Sequence, residues 1–106
     1  MSLSENSGSI ISQTVAENLI AAFDQRYQGE IISSFIGANH IKSILSQQDC
    51  IGIRIYNGYN AASGKMSLVL VGVDKDEKEL LDDGLIYDDM ITCPPTCPVE
   101  GLFVKK

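Results

Sequence analysis

Two β-strand patterns in the middle of the chain constrain its fold more than any other feature. Residues 50–56 place three isoleucines at alternate positions, on one face of a strand. Residues 66–73 are apolar on both faces, a pattern typical of a strand inside a sheet. Between them, residues 57–64 are rich in Asn, Gly and Ser, which favour loops. The patterns therefore predict an antiparallel hairpin with a long loop.

Two helices and a short strand are predicted on the N-terminal side of this hairpin. Residues 9–28 repeat apolar side chains three and four positions apart, on one helical face, and Gly29 is suited to end this helix. Residues 30–36 are rich in β-branched side chains and predict a strand. Asn39 is a good N-cap for a second helix that ends near Gln48.

These elements predict an α+β protein in which two N-terminal helices pack on one face of a small mixed or antiparallel sheet. We expect residues 1–8 to be a disordered tail and residues 9–106 to form a single domain. The order of the strands does not follow from the sequence. The expected core members are Ile11, Val15, Leu19, Phe23, Ile41, Ile44, Leu45, Ile51, Ile53, Ile55, Leu68 and Leu70.

One segment accounts for the net charge of −6. Residues 74–89 hold eight acidic and two basic residues, whereas the remainder of the chain holds six of each. The segment fits a two-turn helix or an acidic loop equally well, and residues 85–87 fit a short edge strand. Because no basic patch is present to neutralise phosphates, nucleic-acid binding is not expected. A basic protein is the partner that this segment suits.

Several features are typical of a cytoplasmic protein. The N-terminus is polar and lacks the basic and apolar regions of a secretory signal. The longest apolar run, residues 68–73, is far shorter than the roughly 20 residues that a membrane-spanning helix needs. An odd number of cysteines fits a reducing compartment. We therefore expect a cytoplasmic location and no membrane partner.

Cys93 and Cys97 lie in a proline-rich hexapeptide, residues 93–98, whose rings restrict the backbone. An extended polyproline path would hold their Cα atoms ~12 Å apart, but a β-turn would bring them within the ~7 Å that a disulfide needs. A disulfide is therefore feasible, although we favour free thiols. Cys50 and His40 complete four potential zinc ligands, but a helix would separate these two by about 15 Å, so no metal or other cofactor is expected.

Arg54 and Tyr56 are the candidate binding residues. They share with Gly52 the strand face opposite the isoleucines, and Arg and Tyr are enriched at binding hot spots. The alternative is an ordinary half-exposed polar face. His40, the only histidine, has no nucleophile tied to it by a sequence motif. No catalytic residue is therefore assigned, and an enzyme is the less favoured interpretation.

Three segments, residues 48–56, 68–74 and 93–97, resemble in their order a group of short, uncharacterised bacterial proteins. Their sequences are QDCIGIRIY, LVLVGVD and CPPTC. The resemblance extends over the C-terminal half of the chain. It implies a common small domain and brings no known activity.

We predict a small non-enzymatic binding or interaction module that self-associates, as a homodimer, through a sheet face or an edge strand. A partner would cover the strand face that carries Val69, Val71 and Val73, since the two helices cover only the other face. The alternative is a thiol-based or zinc-dependent function centred on Cys93 and Cys97.

Overall fold

A computed structural model describes residues 2–103, and within them two helices and five strands. All strand pairs are antiparallel, which confirms the α+β class. In chain order the elements are α1 (Gln13–Arg26), β1 (Ser33–Phe35), α2 (Ala38–Leu45), β2 (Cys50–Asn60), β3 (Lys65–Asp74), β4 (Ile86–Tyr87) and β5 (Ile91–Cys93).

The chain divides into two compact units. The first unit consists of Ile36–Met90 with the N-terminal residues up to Gly8, and it contains α2 and a sheet in the order β2-β3-β4. The second unit consists of Ser9–Phe35 with the chain from Ile91 onward, and it contains α1 and the two-stranded sheet β1-β5. A single domain behind a disordered tail stays a prediction.

Strand β3 lies in the interior of the three-stranded sheet, as its apolar sequence predicts. It pairs with β2 on one side and β4 on the other. Leu70, Val71 and Val73 are buried. Val71 and Val73 belong to the face for which a covering partner was expected, and they are already buried within one chain. That face therefore gives no reason for a dimer.

The hairpin has a shorter loop than its sequence predicts. Strand β2 continues to Asn60, which lies opposite Lys65 at the start of β3. The loop is therefore residues 61–64, and the Asn60 side chain accepts hydrogen bonds from the backbone N–H groups of Ala62 and Ser63 at 3.0 and 3.2 Å. The Asn and Gly at positions 57 and 58 pair with β3 because the turn forms beyond them.

Helix α2 packs against β2 and β3. Ile44 is fully buried on its inner face, whereas Leu45, which was expected in the core, is 47% exposed. Gly72 permits the close approach, since a Cβ atom there would lie 3.1 Å from Ile44 Cγ2 and 2.8 Å from Gln47 Nε2. The helix begins after Gly37, two residues before the predicted cap.

The acidic segment adopts the loop alternative and forms no helix. The Asp74 carboxylate accepts hydrogen bonds from the backbone N–H groups of Asp76 and Lys78, at 2.9 and 3.0 Å, and so closes a turn. After this turn Glu79 forms a single β-bridge with Val73. The predicted edge strand is present as β4.

The second unit contains a helix without a buried residue. Helix α1 is shorter than predicted, because the Ser12 hydroxyl accepts the Val15 N–H and starts it there. Ile11, Val15 and Leu19 are 50%, 47% and 61% exposed, so the expectation that this stripe is core is wrong. The packing of α1 on the sheet is not confirmed. Among the described residues of this unit, Ile31 and Cys93 are buried.

Candidate interaction surface

The polar face of β2 forms a cluster with Glu79. Arg54 and Tyr56 lie opposite Val71 and Val69 of β3, and so share one face of the sheet. The bridge to Val73 brings Glu79 to the same region. Arg54 Nη1 lies 3.0 Å from Glu79 Oε2, and the Tyr56 hydroxyl donates a hydrogen bond to the same oxygen. The structure therefore brings together both predicted binding residues and adds a carboxylate.

These hydrogen bonds shift the pKa values of all three groups. Tyr56, and then Arg54, donate to the carboxylate and lower the pKa of Glu79. The pKa of Tyr56 is raised because Glu79 holds the phenolic proton, and the pKa of Arg54 is raised because Glu79 stabilises its cation. Arg54 and Glu79 thus remain charged, and the two charges neutralise each other.

The same strand exposes large side chains at its far end. Ile55 is 59% exposed, Tyr56 46% and Tyr59 69%. Within the described residues, β3 is the strand that pairs with β2, so the other edge of β2 has no strand partner. An edge strand presents unpaired N–H and C=O groups, which another strand can bind. The edge and the exposed side chains together form a surface suited to a protein partner.

An N-terminal segment lies beside the first part of β2. A cleft of about 300 Å³ is lined by residues 3–5, Ser7, residues 51–54 and Val73. The Leu3 N–H donates to the Glu77 carboxylate at 3.2 Å, which anchors the segment. Residues of β2 beyond Arg54 do not line this cleft.

The three predicted cysteine residues belong to two different units. Cys93 and Cys97 are joined by a disulfide with a Cα–Cα distance of 4.7 Å, so our preference for free thiols is not what the structure shows. The Cys93–Pro94 and Pro94–Pro95 peptide bonds are cis. Cys50 is free and belongs to the other unit, where its thiol contacts the Gly52 carbonyl oxygen at 3.3 Å.

His40 contacts an aromatic side chain of its own unit. Its exposed ring packs against Tyr87, with 4.7 Å between ring centroids. Among residues 2–103, no three His, Cys, Asp or Glu side chains come together in an arrangement that could hold a metal ion. In the same part of the chain, no helix is both long enough and apolar enough to cross a membrane.

Glu79 is the member of this cluster that the sequence patterns do not indicate. It lies in a run of six charged residues, 74–79, and so was grouped with solvated acids. A local signal was present: Asp74 can close a turn onto the residues that follow it, which returns the chain to β3. That return places Glu79, rather than its acidic neighbours, beside β2.

The chain matches no known family model, no curated protein and no solved structure. The resemblance to short bacterial proteins therefore stays a prediction, and function has to be inferred from the surface of β2.

Proposed function

We propose that the protein is a small non-enzymatic binding module that self-associates as a homodimer through strand β2. The observation that carries this proposal is the outer edge of β2, which has no strand partner among the described residues and which the N-terminal segment approaches only as far as Arg54. Proteins usually shield such edges with Lys, Pro or unpaired charges, or keep them very short. Strand β2 is 11 residues long and contains neither Lys nor Pro. Its one charged residue, Arg54, is already paired with Glu79.

The side chains along β2 also favour a protein partner. Ile55 and Tyr59 are on the same face of the strand and both are more than half exposed. Tyrosine and arginine are common at the centres of protein interfaces, because they combine a large contact area with hydrogen bonding. A partner that adds a strand here would satisfy the backbone of β2 and cover these side chains in one step.

A second copy of the chain suits this edge better than a charged partner does. The chain carries a net charge of −6, but β2 itself is almost neutral, so two copies can approach through β2 without opposing like charges. A basic protein is a separate partner class, which the exposed acids of residues 74–89 would attract in the cytoplasm.

Sedimentation equilibrium at micromolar concentration tests the proposal. We expect a species of twice the 11.5 kDa chain mass, and its dissociation by Ile55→Lys, which introduces a charge at the edge. Leu81→Lys is the matched control: Leu81 is 54% exposed but lies outside β2, so the variant should stay dimeric. A single 11.5 kDa species for the unmodified chain would refute self-association.

We also propose a thiol-based function as the second candidate, because Cys93 and Cys97 form a disulfide. Exchange with a dithiol would reduce this bond to two thiols while the dithiol becomes a disulfide. Thiol counting after graded reduction, with zinc content measured on the reduced protein, tests this function. A bond that resists excess dithiol in the folded protein would exclude it.

A further inference from the structure

We infer that the homodimer has one register: β2 pairs antiparallel with β2 of a second copy about a two-fold axis at Asn57. This inference rests on the proposed self-association and adds the residues that meet. It follows from the symmetry of strand pairing, from the position of the N-terminal segment and from the exposed side chains of β2.

Symmetry first limits the position of the axis. Two identical antiparallel strands in one sheet are related by a two-fold axis perpendicular to the sheet, which maps each sheet face onto itself. Side chains alternate between faces, and directly opposed residues share a face. From Gly52 to Asn60 the pairing of β2 is regular, since its one irregularity lies between Cys50 and Gly52. One residue of β2 must therefore lie opposite its own copy in the second strand, with the axis midway between the two.

The N-terminal segment then limits how much of the edge is free. Residues of the N-terminal segment and residues 51–54 line the same cleft, so a second strand that leaves this segment in place would pair with β2 only from about Arg54 to Asn60. Asn57 is the midpoint of that stretch. An axis at Tyr56 would extend the pairing back to Gly52, into the cleft, and an axis at Gly58 would leave Ile55 without a partner residue.

The axis at Asn57 also gives complementary side-chain pairs. Ile55 lies opposite the partner's Tyr59, and this pair occurs twice by symmetry; aromatic and β-branched pairs stabilise antiparallel strands. Tyr56 lies opposite the partner's Gly58, where an aromatic ring can cover the bare backbone. Gly58 has to be glycine, because a Cβ atom there would lie 2.8 Å from the Ser67 carbonyl oxygen.

The pairs at the axis and at the ends are electrically compatible. Asn57 faces the partner's Asn57, and an amide side chain can both donate to and accept from an identical amide. Arg54 faces the partner's Asn60, so the only charged side chain of β2 meets no like charge. The register therefore covers the exposed apolar side chains of this edge without placing two charges together.

Single cysteines in a Cys50→Ser chain test the register under mild oxidation. Directly opposed residues in an antiparallel pair have Cα atoms about 4.5–5.5 Å apart, within the roughly 4.4–6.8 Å of disulfides. We therefore expect Asn57→Cys to give a covalent dimer. Ile55→Cys should not, because its two copies would be separated by about 13 Å along the strands. Mixing Ile55→Cys with Tyr59→Cys should give a mixed disulfide that neither variant gives alone.

The outcomes separate the register from self-association itself. A covalent dimer from Tyr56→Cys in place of Asn57→Cys would overturn the register and keep the β2 pairing. A chain that sediments as a dimer but gives none of these crosslinks would refute pairing through the β2 edge, while self-association itself would stand. A monomer by sedimentation would overturn both. The mixed pair protects the test against an Asn57→Cys variant that fails to fold.

Discussion

Strands β2 and β3 are neighbours in one sheet, both rich in aliphatic side chains, but their burial differs sharply. Ile55 and Leu70 lie directly opposite each other, yet Ile55 is 59% exposed and Leu70 only 5%. The difference comes from their positions: β3 has strands on both sides, whereas β2 has one on a single side. Aliphatic content therefore predicts that a strand forms, and its place in the sheet decides whether the strand is core or surface.

The largest effect is expected from two alanine substitutions at directly opposed positions, Leu70→Ala and Ile55→Ala, which test this difference in burial. Removing buried methyl groups at Leu70 should lower the free energy of unfolding by about 2–5 kcal/mol. At Ile55 the change should stay within about 0.5 kcal/mol when the protein is dilute enough to be monomeric. Urea unfolding measures both variants, and equal losses would mean that the two strands are equally buried.

The contrast extends to the second unit, where a covalent bond adds to a small buried core. Reduction of the short Cys93–Cys97 loop should destabilise this unit by about 2 kcal/mol. The Ile32 N–H, which donates to the Cys93 carbonyl oxygen at 2.7 Å, should then exchange with solvent faster. Hydrogen exchange with and without a dithiol measures this, and Cys50→Ser, which keeps the disulfide, is the control. Unchanged exchange at Ile32 would show that β1-β5 is stable without the bond.

Two glycine-to-alanine substitutions, one on each strand, test the same difference in burial by adding a single methyl group. A Cβ atom at Gly72 of β3 would lie 2.8 Å from Gln47 Nε2, 3.1 Å from Ile44 and 3.2 Å from Cys50 Sγ. Gly72→Ala should therefore destabilise the fold by about 1 kcal/mol, the low end for overpacking, because the Gln47 side chain can move. Gly52→Ala on β2 meets nothing within 4 Å and should be neutral or slightly stabilising. Thermal unfolding compares them, and a reversed order would contradict the packing of α2 on β3.

The smallest effect is expected at the cluster of Arg54, Tyr56 and Glu79 on the polar face of β2. The pKa of Glu79 is below its ordinary value of 4.5 because Tyr56 and Arg54 donate to it. A carboxyl whose pKa is lowered by folding stabilises the protein above its unfolded pKa, and this contribution is lost as the pH falls through the folded value. Glu79→Gln should therefore flatten the stability–pH curve below about pH 4.5. Asp82→Asn, which removes one exposed acid of the same loop that makes no contact with Arg54 or Tyr56, is the matched control.

Local patterns predicted much of the fold. They could not predict which strands pair with each other, and this accounts for the parts that were missed. The alternation of Ile51, Ile53 and Ile55, and the apolar run that becomes β3, predicted the hairpin because each pattern lies within a few residues. The sequence also placed Arg54 and Tyr56 on one face. It did not predict which edge of the sheet stays open, because that depends on strands far away in the chain.

Two errors have the same physical origin. The stripe of Ile11, Val15 and Leu19 has the spacing of a core-facing helix, but spacing alone does not supply a surface for the helix to pack on. Glu79 was overlooked because Asp74 indicates a turn within the acidic run but not which side chain that turn brings to β2. Burial and cross-strand contacts are non-local properties, so single-residue patterns miss them first.

The pairing of β1 with β5 determines where the chain leaves the second unit and where it returns to it. Phe35 and Ile91 are directly opposed, so the chain leaves the second unit and re-enters it at adjacent points. The long segment Ile36–Met90 is therefore an insertion whose two ends lie side by side. Insertions with adjacent ends are the ones that hosts tolerate and exchange most readily, because they alter neither strand at the junction. The hairpin-bearing segment thus enters and leaves its host at adjacent points, but residues up to Gly8 also belong to its unit, so the segment on its own would lose the hydrogen bond from the Leu3 N–H to the Glu77 carboxylate.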